Sequence, residues 1–573
     1  MERRGERVCR RGSMRRPSRA VRGVPGFGPL IKTIKRIRLR LSTTPIPDSA
    51  AAASAASHRR IFLKSAAIVA TSVFLSRVLG FFREWTIAHQ AGSNATTDAY
   101  YAAFTIPDIL NYLLAGGALS ITFIPVFLEY YTSNREEESW RVFSIVLSAM
   151  SLLLLILLVV AEIFAPELTH WIAPGFRSEQ QQMVTQLTRI MLPAQAFFFI
   201  GGVLSAVQYA RGRFVIPSLA PLIYNAMIIA FGLLMAKRWG IVAFSWGVLA
   251  GSFLGNFLVP AYGAARLGAR FRFEIALRHP GFLRFLRLSV PIMLGFSLIF
   301  IDDWAIRWFG SFLIPASITW LSYGKTLMRV VVAVFAQAAG VASYPAMARL
   351  AAEKKWAEMK EGLEDALRHV ILAMMPVSVL MAVLSRQIVY LLFSHTRLSG
   401  HDMEQTAWAL ILFLVGAVAW GVQSIVGRGF YALGDTLTPT LIGSGLAVAW
   451  LPVYWQLGKR FEFAGLAAAS SLGVIVYTGV LCGVLYRRLE IRLRVLGSLL
   501  ARTLGCASAA AIVSIYLERT LDATFPWQSM KGSLIQSVSI SVAFVLSFLA
   551  LGTFVGVASW DELRALFAGK RGR

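Results

Sequence analysis

The chain reads as an all-α integral membrane protein. About fourteen transmembrane helices are expected, in two parallel pseudo-symmetric six-helix lobes plus two C-terminal helices, with both termini inside. Three observations lead there. Apolar residues make up 56% of the 573 positions, against about 45–50% in a soluble domain, and the mean hydropathy is +0.61. These residues gather into runs of about 20 with few charges, the length that crosses a bilayer core. The formal charge of +27 is concentrated in alternate loops.

The runs lie near 61–90, 97–131, 140–164, 184–211, 215–236, 240–265, 285–309, 313–347, 368–393, 405–431, 438–457, 463–486, 496–517 and 530–557. In lipid each backbone polar group must be satisfied within its own segment, so spans of this length are helices. With the N-terminus inside, the inner loops hold Arg211, Arg213, the basic stretches 266–287, 349–368 and 487–494, Arg428 and the tail 570–573. The outer loop 89–97 has no Lys or Arg, and 165–183 has only Arg177. Lys237, Arg238, Lys459 and Arg460 depart mildly from this positive-inside pattern. The same charge on a soluble protein would suggest nucleic acid. Its confinement to loops between apolar runs argues against a nucleic-acid partner.

Residues 1–58 form a basic cytoplasmic tail, expected to be disordered. Arg59 and Arg60 precede an apolar run, where they hold the N-terminus inside and do not mark an export signal. The lobes are expected over 59–268 and 285–490, joined by a cytoplasmic linker at 269–284. The last two helices fall within 491–560, before a basic tail at 561–573. Cys9, Cys482 and Cys506 share no metal or disulfide spacing and read as small apolar residues.

A repeat supports the two lobes. Val207-Gln208 and Gly212-Arg213 recur as Val422-Gln423 and Gly427-Arg428, an offset of 215. Pro125 and Pro345 recur at 220. An even number of helices separates the copies, so both halves share one membrane orientation. Transporters often place the substrate between such halves.

Charges inside the spans locate a cavity. A charge in hydrocarbon costs about 2.5–3.5 kcal/mol even on lenient insertion scales, so such residues face water or a ligand. Arg77, Arg83 and Glu84 lie in the first span. Arg77 and Glu84 share a helix face, and Arg83 is rotated from Arg77 by about 120°. Gly80 between them would allow a bend. Asp98 opens the second span and Asp108 follows Pro107; Asp302, Asp303 and Arg307 end the seventh; Lys325 and Arg329 lie one turn apart in the eighth. Arginine presents paired donors that suit phosphate and pyrophosphate. An anionic substrate is therefore expected, held by Arg77, Arg83, Asp98, Lys325 and Arg329. Glu84, Asn111, Thr326, Asp302, Asp303 and Gln423 are secondary candidates. More modest roles compete: Asp98 could only cap the N-terminus of its own helix, Arg307 could reach the outer interface, and Glu84 could only neutralise an arginine.

No GxxxxGK[ST] loop, HExxH or GxSxG motif is present, and no paired Cys/His set. Neither an enzyme nor a cofactor or metal is expected. The driving force must come from an ion gradient, the membrane potential or the substrate gradient.

Several motifs together resemble the MurJ/MviN lipid II flippase family of the multidrug/oligosaccharidyl-lipid/polysaccharide exporter superfamily. They are SRVLGFFRE (76–84), TDAYYAAFTIPDIL (97–110), GALSITFIPVFLEY (117–130), WIAPGF (171–176), LTRIMLP (187–193), GRFVIPSLAPLIYN (212–225) and FYALGDTLTP (430–439). The resemblance spans about 61–490. It implies fourteen helices, a central cavity, and alternating access that moves an undecaprenyl-pyrophosphate-linked peptidoglycan precursor outward. It also implies a lipid-tail groove on the last two helices. The partners would then be an anionic lipid-linked glycan and membrane lipids in a bacterial inner membrane, and a monomer would suffice. The family's first-helix arginines match Arg77 and Arg83, and its second-helix acid matches Asp98.

The chain departs from the family elsewhere. Late in the second helix it has Asn111-Tyr112 and LAGGALS in place of two arginines and FAEGAFS. The eighth helix reads SYGKTLMR, with Thr326 where an arginine is usual. The eleventh, over 441–455, is apolar apart from Ser444 and Tyr454. Two other substrates therefore compete: another lipid-linked oligosaccharide, such as an O-antigen or capsule unit, and a drug exchanged for a cation. A scaffold without transport is a further alternative. Even so, the cavity is expected to be cationic.

Overall fold

Helices account for every regular element among the described residues. The computed structural model describes residues 71–114, 118–294 and 298–557. The tails 1–58 and 561–573, Cys9, Arg59, Arg60 and part of the LAGGALS motif lie outside the described residues.

The first span is α1, over 71–91. The second is broken into α2 (Ala95–Ala103), α3 (Thr105–Leu114) and α4 (Ala118–Thr132). The break at Phe104 places Pro107 in the first turn of α3, where a missing N–H costs least. Next come α5 (Glu136–Ile163), the short α6 (Ala165–Ile172), α7 (Ser178–Met191) and α8 (Ala194–Ala210). Pro193 marks the junction of α7 and α8. They are followed by α9 (Val215–Trp239), α10 (Val242–Gly251), a π-turn (Ser252–Leu258) and α11 (Val259–Arg266).

The second half comprises α12 (Pro280–Leu294), α13 (Leu298–Gly310), α14 (Ser317–Val331), a second π-turn (Val332–Gln337), α15 (Ala338–Ala352), α16 (Trp356–Val383), α17 (Ser385–Phe393) and α18 (Gly400–Ala432). After these come α19 (Leu437–Ala449), α20 (Leu451–Leu489), α21 (Leu493–Asp522) and α22 (Met530–Phe554). Among the described residues, ten helical segments are long and apolar enough to cross a membrane. The long α20 is bent, with Phe461 and Glu462 outside helical φ/ψ.

Two apolar cores form. One runs from Ile106 through the first half to Phe282 and Phe285. The other joins Ile87–Ala103 to most of the second half. The linker after α11 is extended along α5, where the N–H groups of Arg272 and Glu274 donate to the hydroxyls of Ser144 and Ser148 at 3.1 and 3.2 Å. The side-chain hydrogen bond from Arg141 holds the Glu274 carboxyl below its ordinary range.

The helix ends revise the repeat register. Gly212 (φ 69°) ends α8, and the N–H of Arg213 returns to the Gln208 carbonyl at 2.8 Å. The equivalent stop in the second half is Gly434 (φ 75°), where Asp435 N–H returns to the Phe430 carbonyl at 3.0 Å. Gly427 stays helical within α18. The structural offset is thus 222 (434 − 212), not 215, and Pro217 and Pro439 share it. A short motif match in apolar sequence was displaced by the backbone geometry that stops a helix.

Candidate functional site

A cavity of about 560 Å³ lies between the two halves. Its walls come from α1, α2, α3, α7, α8, α9 and α10 on one side and from α13 and α14 on the other.

On the first side, Arg83 and Glu84 sit in mid-helix. Glu84 is 3% exposed. Its Oε1 accepts from Arg83 at 2.5 Å, and its Oε2 accepts from the Tyr101 hydroxyl. Arg83 also donates to Asn225 Oδ1 at 3.3 Å. Across the cavity, α13 presents Asp302 and Asp303 to α14. Lys325 donates to Asp303 at 2.6 Å and to Asp302. Arg329, one turn further on the same face, donates to both oxygens of Asp303 at 2.9 and 2.8 Å. Tyr454 donates its hydroxyl to Asp302. Arg307 bridges the halves, donating to Asp108 Oδ2 at 2.9 Å and Thr105 Oγ1 at 3.3 Å.

The charge balance differs from the sequence expectation. Four cations line the cavity (Arg83, Arg307, Lys325, Arg329) against three carboxylates (Glu84, Asp108, Asp303), a net of +1. Asp302 behind the wall brings the group to neutrality. The cavity is close to balanced, not strongly cationic, because an unpaired charge in a dry interior is far costlier than a paired one.

The expected site residues separate into two groups. Arg83, Glu84, Asn111, Asp303, Lys325, Thr326 and Arg329 line the cavity, and Asn111 donates to Gln195 Oε1 at 3.1 Å. Arg77, Asp98, Asp302 and Gln423 do not. Arg77 is exposed on α1, nearly two turns from Arg83, without a carboxylate within 4 Å among the described residues. Gln423 is half-buried on α18.

Asp98 is 1% exposed and serves another helix. The start of α14 has no side-chain cap, because its N-cap residue, Ala316, with a left-handed φ of 80°, has no side-chain acceptor. Asp98 supplies the missing acceptors from the other half. It takes the N–H of Ala316 at 2.7 Å, the N–H of Thr319 at 2.8 Å and the Thr319 hydroxyl at 2.6 Å. These N–H groups are the ones a helix start leaves unpaired. Its own helix, α2, is capped by Asn94.

This cap belongs to a closed end. Here Arg397 N–H donates to the Ala88 carbonyl at 3.2 Å, Gly175 N–H to Ser311 Oγ at 3.1 Å, and Trp308 Nε1 to the Trp171 carbonyl at 3.1 Å. Among the described residues, direct hydrogen bonds between the halves lie at this end or at the adjoining Arg307 bridge. The exception is α12, which belongs to the first core and bonds Ser289 to Thr122 at 2.9 Å.

Sequence reasoning left the Arg307–Asp108 bridge out of the site, and Tyr101 and Tyr454 with it. The spacing of Asp303 and Arg307, four residues on one helix face, was the available signal for Arg307. The tyrosines carried none, since each meets its carboxylate only through packing.

A family model described as "Lipid II flippase MurJ" matches residues 87–535. A "Lipid II flippase MurJ" of Burkholderia cenocepacia is 26% identical over 490 residues, covering 83% of this chain and 93% of the relative. A "Probable lipid II flippase MurJ" of Buchnera aphidicola subsp. Acyrthosiphon pisum is 27% identical over 436 residues, covering 74% and 84%. A solved structure described as "Lipid II flippase MurJ, inward closed conformation" shares the fold with a TM-score of 0.70 at 21% identity, covering 85% of this chain and 98% of that one. An inward-facing MATE-family multidrug transporter of the MOP superfamily has a TM-score of 0.56 at 14% identity, covering 75% and 99%. With its helical architecture and a family match over most of its length, the chain belongs to the lipid II flippase MurJ family.

Proposed function

We propose that this protein moves lipid II, an undecaprenyl-pyrophosphate-linked peptidoglycan precursor, from the inner to the outer leaflet of a bacterial inner membrane. The observation that carries this reading is the cavity between the halves, walled by Arg83 on one side and Lys325 and Arg329 on the other, with one end shut by Asp98. The reading includes fourteen spans with both termini inside, lobes over 59–268 and 285–490, and a lipid-tail groove in 491–560.

The paired charges suit transport. A site of free arginines would hold a pyrophosphate too tightly to release it. Here Glu84 and Asp303 occupy the cations when the cavity is empty, and a pyrophosphate exchanges with them. Such exchange keeps each cation neutralised in both states and leaves a small net binding energy. Alternating access follows if the halves open at the Asp98 end. Opening there uncovers the N–H groups of Ala316 and Thr319 to water, which replaces the carboxylate. No covalent bond changes, so no catalytic group is required.

Asn111, held by Gln195, and Thr326 favour a second reading in which the glycan differs from that of lipid II. Neutral amide and hydroxyl groups there would contact sugar in place of charge. Complementation of a flippase-depleted strain tests both readings. The wild-type chain should restore growth, and Arg83→Ala should abolish rescue with membrane insertion unchanged. Rescue by the Arg83→Ala variant would overturn the assignment. Failure of the wild-type chain, with intact binding of another polyprenyl-linked glycan, would select the second reading.

A further inference from the structure

Each cation lining the cavity has a carboxylate partner, but Arg428 does not. It lies in the last turns of α18, half-buried, and its guanidinium makes no side-chain hydrogen bond or ion pair among the described residues. One terminal nitrogen, Nη1, is buried and has no hydrogen-bond partner. The guanidinium points Nη1 first at Gly340 of α15, where a Cβ would come within 1.2 Å of Nη1 and 2.4 Å of Cζ. Only glycine leaves room for it. An arginine that merely reaches for interfacial water would direct its nitrogens outward, whereas Nη1 is turned into the protein.

Its position is informative. Gly340 lies eleven residues beyond Arg329 (340 − 329) on the same span, about 16 Å along a helix, in the direction away from the Asp98 closure. The neighbouring Tyr431 is within electrostatic reach of both Arg428 and Tyr112. Tyr112 lines the cavity. Arg428 therefore stands near the end of the cavity opposite the closure. The equivalent position on α8 offers no such group: at the structural offset of 222 it is Ala206 (428 − 222).

We propose that Arg428, seated on Gly340, is a receiving site for a phosphate or pyrophosphate carried by a lipid, occupied before the anion reaches the paired charges deeper in. The proposal rests on the reading of the cavity as a path for a lipid-linked pyrophosphate. Nη1 faces Gly340, so an anion would meet the guanidinium at its remaining nitrogens, which are not fully buried and which no carboxylate occupies.

The test is native mass spectrometry of the full chain, titrated separately with undecaprenyl pyrophosphate and with phosphatidylglycerol. Arg428→Ala should weaken undecaprenyl pyrophosphate binding about tenfold, the scale of one charged hydrogen bond. Gly340→Ala should weaken it similarly, because the new methyl displaces the guanidinium while alanine favours the helix. Arg428→Lys should retain part of the affinity. An equal loss for phosphatidylglycerol would assign the site to bulk lipid headgroups; a loss confined to undecaprenyl pyrophosphate would assign it to the transported lipid. Wild-type affinity in both Arg428→Ala and Gly340→Ala overturns the proposal. If Arg83→Ala alone loses binding, the cavity reading stands and the receiving site falls. If the wild-type chain binds phosphatidylglycerol through Arg428 but no undecaprenyl pyrophosphate, the reverse holds.

Discussion

The two ends of the cavity are built on opposite principles. At the closed end, polar groups are matched across the halves: Asp98 caps α14, and the Ala88 and Trp171 carbonyls near helix ends accept from the facing half. Toward the other end, Arg77 and Arg428 have no carboxylate within 4 Å among the described residues. Between them lies a balanced layer in which each cation has an acid. The difference shows how one protein can both hold a conformation and accept an anion. Satisfied groups stabilise a closed interface, and unsatisfied ones create affinity.

The balanced layer should give the largest effect. Lys325→Ala leaves Asp302 and Asp303 without their shared partner, and stripping one side from a buried pair costs about 3–5 kcal/mol. Thermal unfolding in detergent should show a clear fall, and an unchanged midpoint would mean that water already screens this layer. Next in size is the closed end. Asp98→Ala removes the acceptor of three donors and should weaken closure by about 2–4 kcal/mol, on the scale of hydrogen bonds to a charged group. Ser311→Cys, in a background lacking Cys9, Cys482 and Cys506, reports this as faster labelling by a membrane-impermeant maleimide. Equal labelling in both backgrounds would show that the cap does not hold the end shut.

A smaller effect, of opposite sign, is expected at Glu84. Glu84→Gln releases Arg83 from its partner, so affinity for undecaprenyl pyrophosphate should rise several-fold while transport slows. Reduced affinity would indicate that Glu84 positions Arg83 and does not compete with the ligand. The smallest effect belongs to the linker. The Arg141–Glu274 pair is largely solvated, and exposed pairs contribute little. Because the Glu274 carboxyl lies below its ordinary range, its contribution is present at neutral pH and is lost as pH falls through that lowered value. Glu274→Ala should leave the melting midpoint almost unmoved at pH 7 and flatten whatever acid dependence the linker adds.

Much of this was legible in the sequence. Hydropathy identified the membrane class, since hydrocarbon admits few backbone arrangements. The cost of charge in lipid singled out Arg83, Lys325, Arg329 and Asp303, which do line the cavity. Asp98 was visible as unusual, but its partner was not. Its carboxylate caps a helix that begins 218 residues away, a distance no local pattern spans. The repeat misled for a related reason. Apolar spans share so few residue types that short matches recur by chance, and the true register rested on where a left-handed glycine stops each helix.

The sequence by itself determined that the chain is helical, multi-spanning and provided with costly intramembrane charges, because those follow from residue-by-residue solvation. Only the tertiary structure decided which charges are spent on one another, which helix Asp98 serves and which guanidinium is left over. Pairing depends on distances between helices, and those are set by packing that no single segment encodes.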